Sequence, residues 1–125
     1  MRHRLYCPVY DITSYLKEGE NTIAFLMGPG WYEMPNECYE YGHIKLCYVI
    51  DWQDEKGETH RTGSDGSHKW KESYVKKANL LKGEVHDYRD YDETWMQTPY
   101  DDSDWAAVCL EKAPETHFYI QDCPA

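Results

Sequence analysis

Two carboxylates and a guanidinium that could bind a ligand lie close together near the middle of the chain. Glu84 and Asp87 are three positions apart, and Arg89 follows Asp87 by two. A carboxylate pair can accept hydrogen bonds from vicinal hydroxyl groups, or bind Ca²⁺ with backbone carbonyls completing the shell. The segment has the pattern of a strand or loop, so this spacing does not by itself place both carboxylates on one face. A structural interpretation stays open, in which both carboxylates hold loops in place and Arg89 forms an ion pair with one of them.

An aromatic pair follows a turn earlier in the chain. Trp31 and Tyr32 come directly after Gly28-Pro29-Gly30 and could stack on the apolar face of a sugar ring. The chain has 12 Tyr and 5 Trp against 2 Phe, so most of its aromatic side chains carry a polar group. Such side chains suit a wet cleft, but Tyr and Trp are also good strand formers. Composition therefore leaves both a binding role and a structural role open.

Other sets of reactive residues do not have the spacing of a known site. The five cysteines include no C-x-x-C pair, and none of the six histidines stands at a defensible spacing from a nucleophile. Asp101-Asp102-Ser103-Asp104 resembles the start of a calcium loop, but the Gly and Glu that such a loop needs are missing. We expect a capped turn that places Trp105 in the core, with Trp52, Trp70 and Trp95 in or near it.

The charge of the chain excludes two classes of partner. Thirteen Lys and Arg against 23 Asp and Glu leave a formal charge of −10, which opposes binding to nucleic acid and to anionic membrane surfaces. No apolar run is long enough for a transmembrane helix, and the first residues do not resemble a signal peptide. With an odd number of cysteines interpreted as reduced thiols, these features predict a cytoplasmic protein.

Short apolar or alternating runs between turn signals predict an all-β fold. The candidate strands are Thr22–Met27, Ile44–Trp52, Glu58–Thr62, His68–Tyr74, Ala106–Glu111 and His117–Ile120. No segment sustains a helical period, and only two single capped turns are expected, in Asp11–Leu16 and in Asp101–Trp105. Strands this short at close intervals are typical of an antiparallel β-sandwich. We predict one domain over residues 1–125, in which 109–125 forms a C-terminal strand or a linker.

Several sequence elements resemble known families. Asp11–Ile23 is similar to the lead-in of sugar-binding β-sandwich domains found in many glycoside hydrolases. In order and rough spacing, the narrower set of Gly28–Tyr32, Lys82–Arg89, Trp95 and Tyr100–Val108 is similar to the N-terminal β-sandwich domain of bacterial α-L-rhamnosidases. The Gly-Trp-Tyr and Gly-Glu-x-x-Asp-x-Arg elements are the more specific ones, whereas Asp-Asp-Ser-Asp-Trp is shared with other carbohydrate-active enzymes. The resemblance implies a jelly-roll or galactose-binding-like sandwich, here a fragment without its first strands.

The resemblance also implies a role. The hydrolytic residues of the family lie in a helical barrel downstream, so we expect no catalytic residue here and an accessory domain that packs on that barrel. Rhamnose-containing carbohydrate is the expected ligand, bound by Trp31, Tyr32, Glu84, Asp87 and Arg89. No cofactor is required, and Ca²⁺ held by Glu84 and Asp87 is the one metal suggested. The alternatives are a free-standing carbohydrate-binding module and an interaction domain without a ligand.

Overall fold

The computed structural model describes residues 4–33, 42–113 and 115–121. Its strands are β1 (Arg4–Cys7), β2 (Val49–Gln53), β3 (Thr59–Gly63), β4 (Lys69–Trp70), β5 (Val75–Asn79), β6 (Gly83–His86), β7 (Ala106–Ala107) and β8 (His117–Ile120). Three 3₁₀ turns are the only helical pieces within these residues: Thr13–Tyr15, Tyr88–Asp90 and Thr94–Met96. Nothing helical in the described ranges has the length and apolar character needed to cross a membrane. The predicted all-β class is confirmed.

The chain divides into two compact units. One contains residues 1–21 and 111–125, and the other contains residues 22–110. In the first unit β1 pairs with β8 in parallel, and the backbone N–H of Gln121 donates to the carbonyl of Cys7 across 2.9 Å. The predicted strand His117–Ile120 is thus confirmed, although its ladder is parallel. That residues 1–125 form a single domain stays a prediction.

The capped turn predicted before Thr22 is present in the first unit. The Asp11 carboxylate accepts the backbone N–H of Thr13 at 3.0 Å, which opens the 3₁₀ turn. Gly19 then adopts a φ of +87°, a conformation that glycine reaches without steric cost. The side chain of Asn21 bonds to the backbone N–H and C=O of Lys17, which closes the loop.

The hairpin β2–β3 forms from parts of the predicted strands Ile44–Trp52 and Glu58–Thr62, with a polar turn between them. Asp54 organises its turn, because one carboxylate oxygen accepts the backbone N–H groups of Lys56 and Glu58, both at 2.9 Å. Gly57 has a φ of +80°, which suits the turn. Asp51 and Arg61 lie directly opposite in the ladder, and the guanidinium forms two hydrogen bonds to the carboxylate, of 2.6 and 2.8 Å.

A second antiparallel hairpin, β5–β6, carries the segment with the carboxylate pair. Asn79 ends β5, and its side-chain oxygen accepts the backbone N–H groups of Leu81 and Lys82 at 2.9 Å each. Gly83 begins β6 with a φ of +83°. The ladder places Glu84 opposite Ala78 and contains an irregularity between Val75 and Lys77.

The short pair β4–β7 completes the set of ladders in the described residues. Lys69 and Lys71 form ion pairs with Asp102 and Asp104, both of 2.7 Å. The Asp101–Trp105 turn forms as predicted, closed by a hydrogen bond from the Trp105 N–H to the Asp102 carbonyl. Three of the four strand pairs are therefore antiparallel. Their assembly into a sandwich of jelly-roll type stays a prediction.

Several strand predictions were too long or wrong. Thr22–Met27 forms no ladder with any described residue, and its apolar side chains stay exposed, although the Phe25 ring lies 5.0 Å from the ring of Tyr48. In Ile44–Trp52 only Val49 onwards pairs as predicted, and Val49 itself is 59% exposed. An apolar run becomes a strand only where a neighbouring strand supplies hydrogen bonds.

Burial is shallow throughout the described part of the chain. No residue there is fully buried, and large apolar side chains are widely exposed. Trp70, predicted in or near the core, is 52% exposed, and Trp52 is also on the surface. Trp95 and Trp105 are half-buried, and the rings of Trp105 and Tyr100 pack edge to face with their centroids 5.8 Å apart.

Candidate functional site

An open cleft lies between the Gly28-Pro29-Gly30 turn and the β5–β6 hairpin. It consists of two adjoining cavities of about 460 and 630 Å³. The residues that line both cavities are Gly28, Pro29, Ala78, Asn79 and Glu84. The structure thus brings one of the two predicted carboxylates to the turn that precedes the predicted aromatic pair.

The turn displays the predicted aromatic residues to solvent. The backbone N–H groups of Tyr32 and Glu33 both donate to the carbonyl of Pro29, at 3.0 and 3.3 Å, so the chain reverses sharply there. Trp31 is 61% exposed and Tyr32 is 43% exposed. Neither ring is part of the cleft lining, so the structure places them beside the residues that form the cleft wall and not in that wall.

Glu84 is the predicted residue that the structure places in the cleft. Its carboxylate lies 2.8 Å from the Nε2 atom of His86, two positions along the same strand. The side chain keeps 57% of its surface exposed, so oxygen lone pairs remain accessible to a ligand. Glu84 can accept hydrogen bonds from hydroxyl groups without giving up its contact with His86.

Asp87 and Arg89 do not line the cleft and are engaged with each other. Asp87 caps the Tyr88–Asp90 turn by accepting the backbone N–H of Arg89, and the same carboxylate accepts the Arg89 Nε–H at 2.8 Å and an Nη2–H. These hydrogen bonds lower the pKa of Asp87 below its usual value. This is the arrangement that the structural interpretation of the segment predicted, with Arg89 paired to one of the two carboxylates.

The two predicted calcium ligands therefore have different partners. Within the described residues, neither Glu84 nor Asp87 belongs to a group of three side chains placed closely enough to bind one metal ion together. Calcium binding through this pair stays a prediction.

Three further charged residues of the cleft, Glu33, Lys76 and Lys77, were not predicted. Glu33 lines the larger cavity and accepts hydrogen bonds from the Nδ1 atom of His43 at 2.9 Å and from the backbone N–H of Ile44 at 3.3 Å. Lys76 lines it from β5 and forms an ion pair of 2.7 Å with Asp90, which raises the pKa of the Lys76 ammonium. Nothing in the local sequence marks these three residues, because a cleft formed by distant segments leaves no spacing pattern.

An aromatic cluster that contacts strand β6 was also not predicted from the sequence. The ring of Tyr74 lies 5.3 Å from His86, 5.6 Å from Tyr88 and 5.0 Å from Tyr91, measured between centroids. Tyr88 is 69% exposed and Tyr91 is 49% exposed. The high tyrosine content was the one sequence feature that could have indicated such a cluster. Some of these tyrosines pack ring against ring here.

Curated relatives of the chain are long enzymes. A protein of Streptomyces avermitilis named alpha-L-rhamnosidase is 29% identical over 115 residues, which cover 86% of this chain and 11% of the relative. One of Formosa agariphila with the same name is 30% identical over 128 residues, which cover 93% of this chain and 13% of the relative. The chain thus spans only about an eighth of the length of these relatives. No solved structure matches it significantly.

The family comparison covers the whole chain. Residues 1–125 match the family described as alpha-L-rhamnosidase N-terminal domain. This match includes the Gly-Trp-Tyr turn, whose backbone forms one side of the cleft, and the Gly-Glu strand that forms the other side. The resemblance carried by those motifs is confirmed: the chain belongs to the family of α-L-rhamnosidase N-terminal domains.

Proposed function

We propose that the chain is a non-catalytic accessory domain of an α-L-rhamnosidase, which packs against the catalytic domain and contributes its cleft to binding of rhamnose-containing carbohydrate. Membership of the N-terminal domain family supports the accessory role. The observation that carries the sugar-binding part is the cleft itself, in which Glu84 faces the glycine-rich turn next to Trp31.

The composition of the cleft suits a small polyhydroxylated ligand. Acceptors are supplied by Glu33 and Glu84. Donors are supplied by Lys76, Lys77 and the side-chain NH₂ of Asn79, whose oxygen is occupied by backbone N–H groups of the turn. Pro29 and Ala78 add apolar surface to the lining. Small-molecule sites commonly combine an apolar lining with a few polar groups that fix the orientation of the ligand. Their volumes are typically roughly 300 to 1,000 Å³.

The openness of the cleft supports a binding role over hydrolysis. A glycosidase needs one carboxyl group kept protonated by an apolar environment, beside a second ionised carboxylate. Glu84 is largely exposed, and both Glu84 and Glu33 already accept hydrogen bonds from histidines. This environment suits carboxylates that recognise hydroxyl groups.

The exposed apolar surface supports docking on a partner domain. The described residues include exposed large side chains such as Leu81, Val85, Leu110 and Ile120. Burying apolar surface contributes about 25 cal/mol per Å², so covering these side chains would stabilise the domain. A free-standing binding module would instead be expected to cover its apolar side chains itself.

Calorimetric titration of L-rhamnose into the chain, with Ca²⁺ and separately with chelator, tests the sugar site. We expect saturable heat that Glu84→Gln weakens about 10- to 100-fold, because hydrogen bonds to a charged group contribute about 1.5 to 3 kcal/mol each. Glu115→Gln makes the same chemical change at an exposed ion pair with Lys112 and should leave the heat unchanged.

Asp87→Asn distinguishes a site in which Glu84 alone binds the sugar from one in which Glu84 and Asp87 bind it together with Ca²⁺. If only Glu84 binds the sugar, Asp87→Asn retains the heat in both buffers. If the two form a calcium-dependent site, Asp87→Asn and the chelator each abolish it. No heat from folded protein in either buffer would overturn the sugar-binding proposal, and release of p-nitrophenol from the aryl rhamnoside would overturn the non-catalytic one.

A further inference from the structure

A cluster of one histidine and two carboxylates lies at the β2–β3 hairpin, outside the cleft. The ligand atoms of Asp54, Glu58 and His60 all lie within 4.8 Å of one another. None of these residues lines the cleft. The cluster is therefore independent of the proposed sugar site.

The hairpin holds the first carboxylate in place. One oxygen of Asp54 accepts the backbone N–H groups of Lys56 and Glu58, and these bonds form the turn. The other oxygen faces His60, with 3.0 Å between Oδ2 and Nε2. The same hydrogen bonds, led by that of His60, lower the pKa of Asp54, so the group is a carboxylate at neutral pH.

The imidazole is held in place from the other side. His60 lies opposite Trp52 in the ladder, and the two rings are stacked with centroids 5.4 Å apart and an angle of 24° between their planes. Stacking fixes the ring plane, and the ladder fixes the backbone. The Nε2 atom is thereby directed at Asp54, so little side-chain entropy would be lost when both groups bind an ion.

The donor set and its spacing fit a transition-metal ion. In a tetrahedral site, two ligands that each lie about 2.1 Å from the ion are about 3.4 Å apart. The Nε2 and Oδ2 atoms, which are 3.0 Å apart in their hydrogen bond, would therefore need to separate only slightly to bind one. Imidazole nitrogen is a preferred ligand of Zn²⁺ and other divalent transition-metal ions, whereas Ca²⁺ prefers roughly six to eight oxygen ligands. We propose that Asp54, Glu58 and His60 form a binding site for a divalent transition-metal ion, with Zn²⁺ as its representative and water in the remaining positions.

Binding at this site requires a proton to move. In the hydrogen bond with Asp54 the Nε2 atom of His60 carries the proton, and metal coordination uses the Nε2 lone pair. The Nε2 proton is lost to solvent while Nδ1 gains one, so a neutral imidazole remains.

Titration of ZnCl₂ into the untagged, chelator-treated full chain tests the proposal. We expect one saturable site per chain and a Tm that rises with Zn²⁺ concentration. His60→Gln and Glu58→Gln should each weaken binding at least about tenfold. Asp54 is left unchanged because it forms the turn. CaCl₂ titrated in the same way should give much weaker binding.

Two controls make the result specific to the hairpin. His43→Gln removes another exposed histidine that lies beside a carboxylate, Glu33, and should leave Zn²⁺ affinity unchanged. Alkylation of the free thiols of Cys7, Cys47 and Cys109 should likewise have no effect. No saturable binding, unchanged affinity in both hairpin variants, or loss of binding only after alkylation would overturn the proposal. Failure of the rhamnose titration would leave it standing.

Discussion

At the level of single residues, Asp87 and Arg89 illustrate how two roles can share one motif. Spacing suggested a ligand site, yet the carboxylate is held by the backbone N–H and the guanidinium of Arg89. Glu84, three positions earlier, lies in the cleft. The Gly-Glu-x-x-Asp-x-Arg motif thus supplies one cleft carboxylate and one turn cap.

The hydrogen bonds of Asp87 predict a pH-dependent contribution to stability. Since its pKa is lower in the folded chain than the ordinary value of 3.8, the contribution is fully present above that pH and is lost as the pH falls through the folded pKa. Asp87→Asn should therefore lower Tm at pH 7, and the difference from the parent should shrink below pH 3.8.

Thermal unfolding from neutral pH down into the acid range measures this difference. Glu115→Gln serves as the control, because its ion pair with Lys112 is 82% exposed on both sides and surface pairs of this kind contribute little. A Tm difference for Asp87→Asn that stays constant across the acid range would contradict the prediction.

At the level of elements, the two hairpins β2–β3 and β5–β6 each contain a glycine with a positive φ, but of these two hairpins only β5–β6 borders the cleft. Gly57 in the β2–β3 turn and Gly83 after the β5–β6 turn have φ values of +80° and +83°, and a Cβ at either would meet no atom within 4 Å. The stability cost of placing alanine at either position therefore comes from backbone conformation and not from a steric clash. Of the two glycines, only Gly83 lines the cleft.

This matched pair separates stability from binding. Gly57→Ala and Gly83→Ala should each cost about 1 to 2 kcal/mol of unfolding free energy, since the left-handed conformation is unfavourable for residues with a Cβ. Gly83→Ala should also weaken L-rhamnose binding, whereas Gly57→Ala should leave it intact. Denaturant unfolding and calorimetry measure the two quantities. Equal effects of both variants on binding would show that the cleft responds to stability only.

At the level of the whole chain, the described residues keep a large share of their apolar surface exposed. Leu81 and Val85, both on the β5–β6 hairpin, are 63% and 53% exposed. Exposed apolar patches of this kind mark interaction surfaces. They fit the proposal that the domain packs against another domain of the same enzyme.

The chain by itself should therefore bind a hydrophobic dye and associate with itself as its concentration rises. Leu81→Ser should reduce dye fluorescence with little change in Tm, because that side chain is already in water in the folded chain. Fluorescence titration and sedimentation at several concentrations check this. A monomer that binds no dye would contradict the docking proposal and favour a free-standing binding module.

Local sequence determined the turns, the all-β class and the family. Asp11, Asp54 and Gly19 act through neighbours within a few positions, and such contacts can be read directly from spacing. Motif order identified the rhamnosidase N-terminal domain for the same reason, because it depends on residue identity and not on packing.

Only the tertiary structure decided which residues share the cleft and which apolar runs pair as strands. Glu33 and Lys76 line the same cavity as Glu84, although no local sequence pattern relates the three residues. The apolar run Thr22–Met27 has the sequence pattern of a strand, yet it forms no ladder within the described residues. Ladder pairing and cleft formation depend on contacts between distant segments, and those contacts are determined by how the chain packs as a whole.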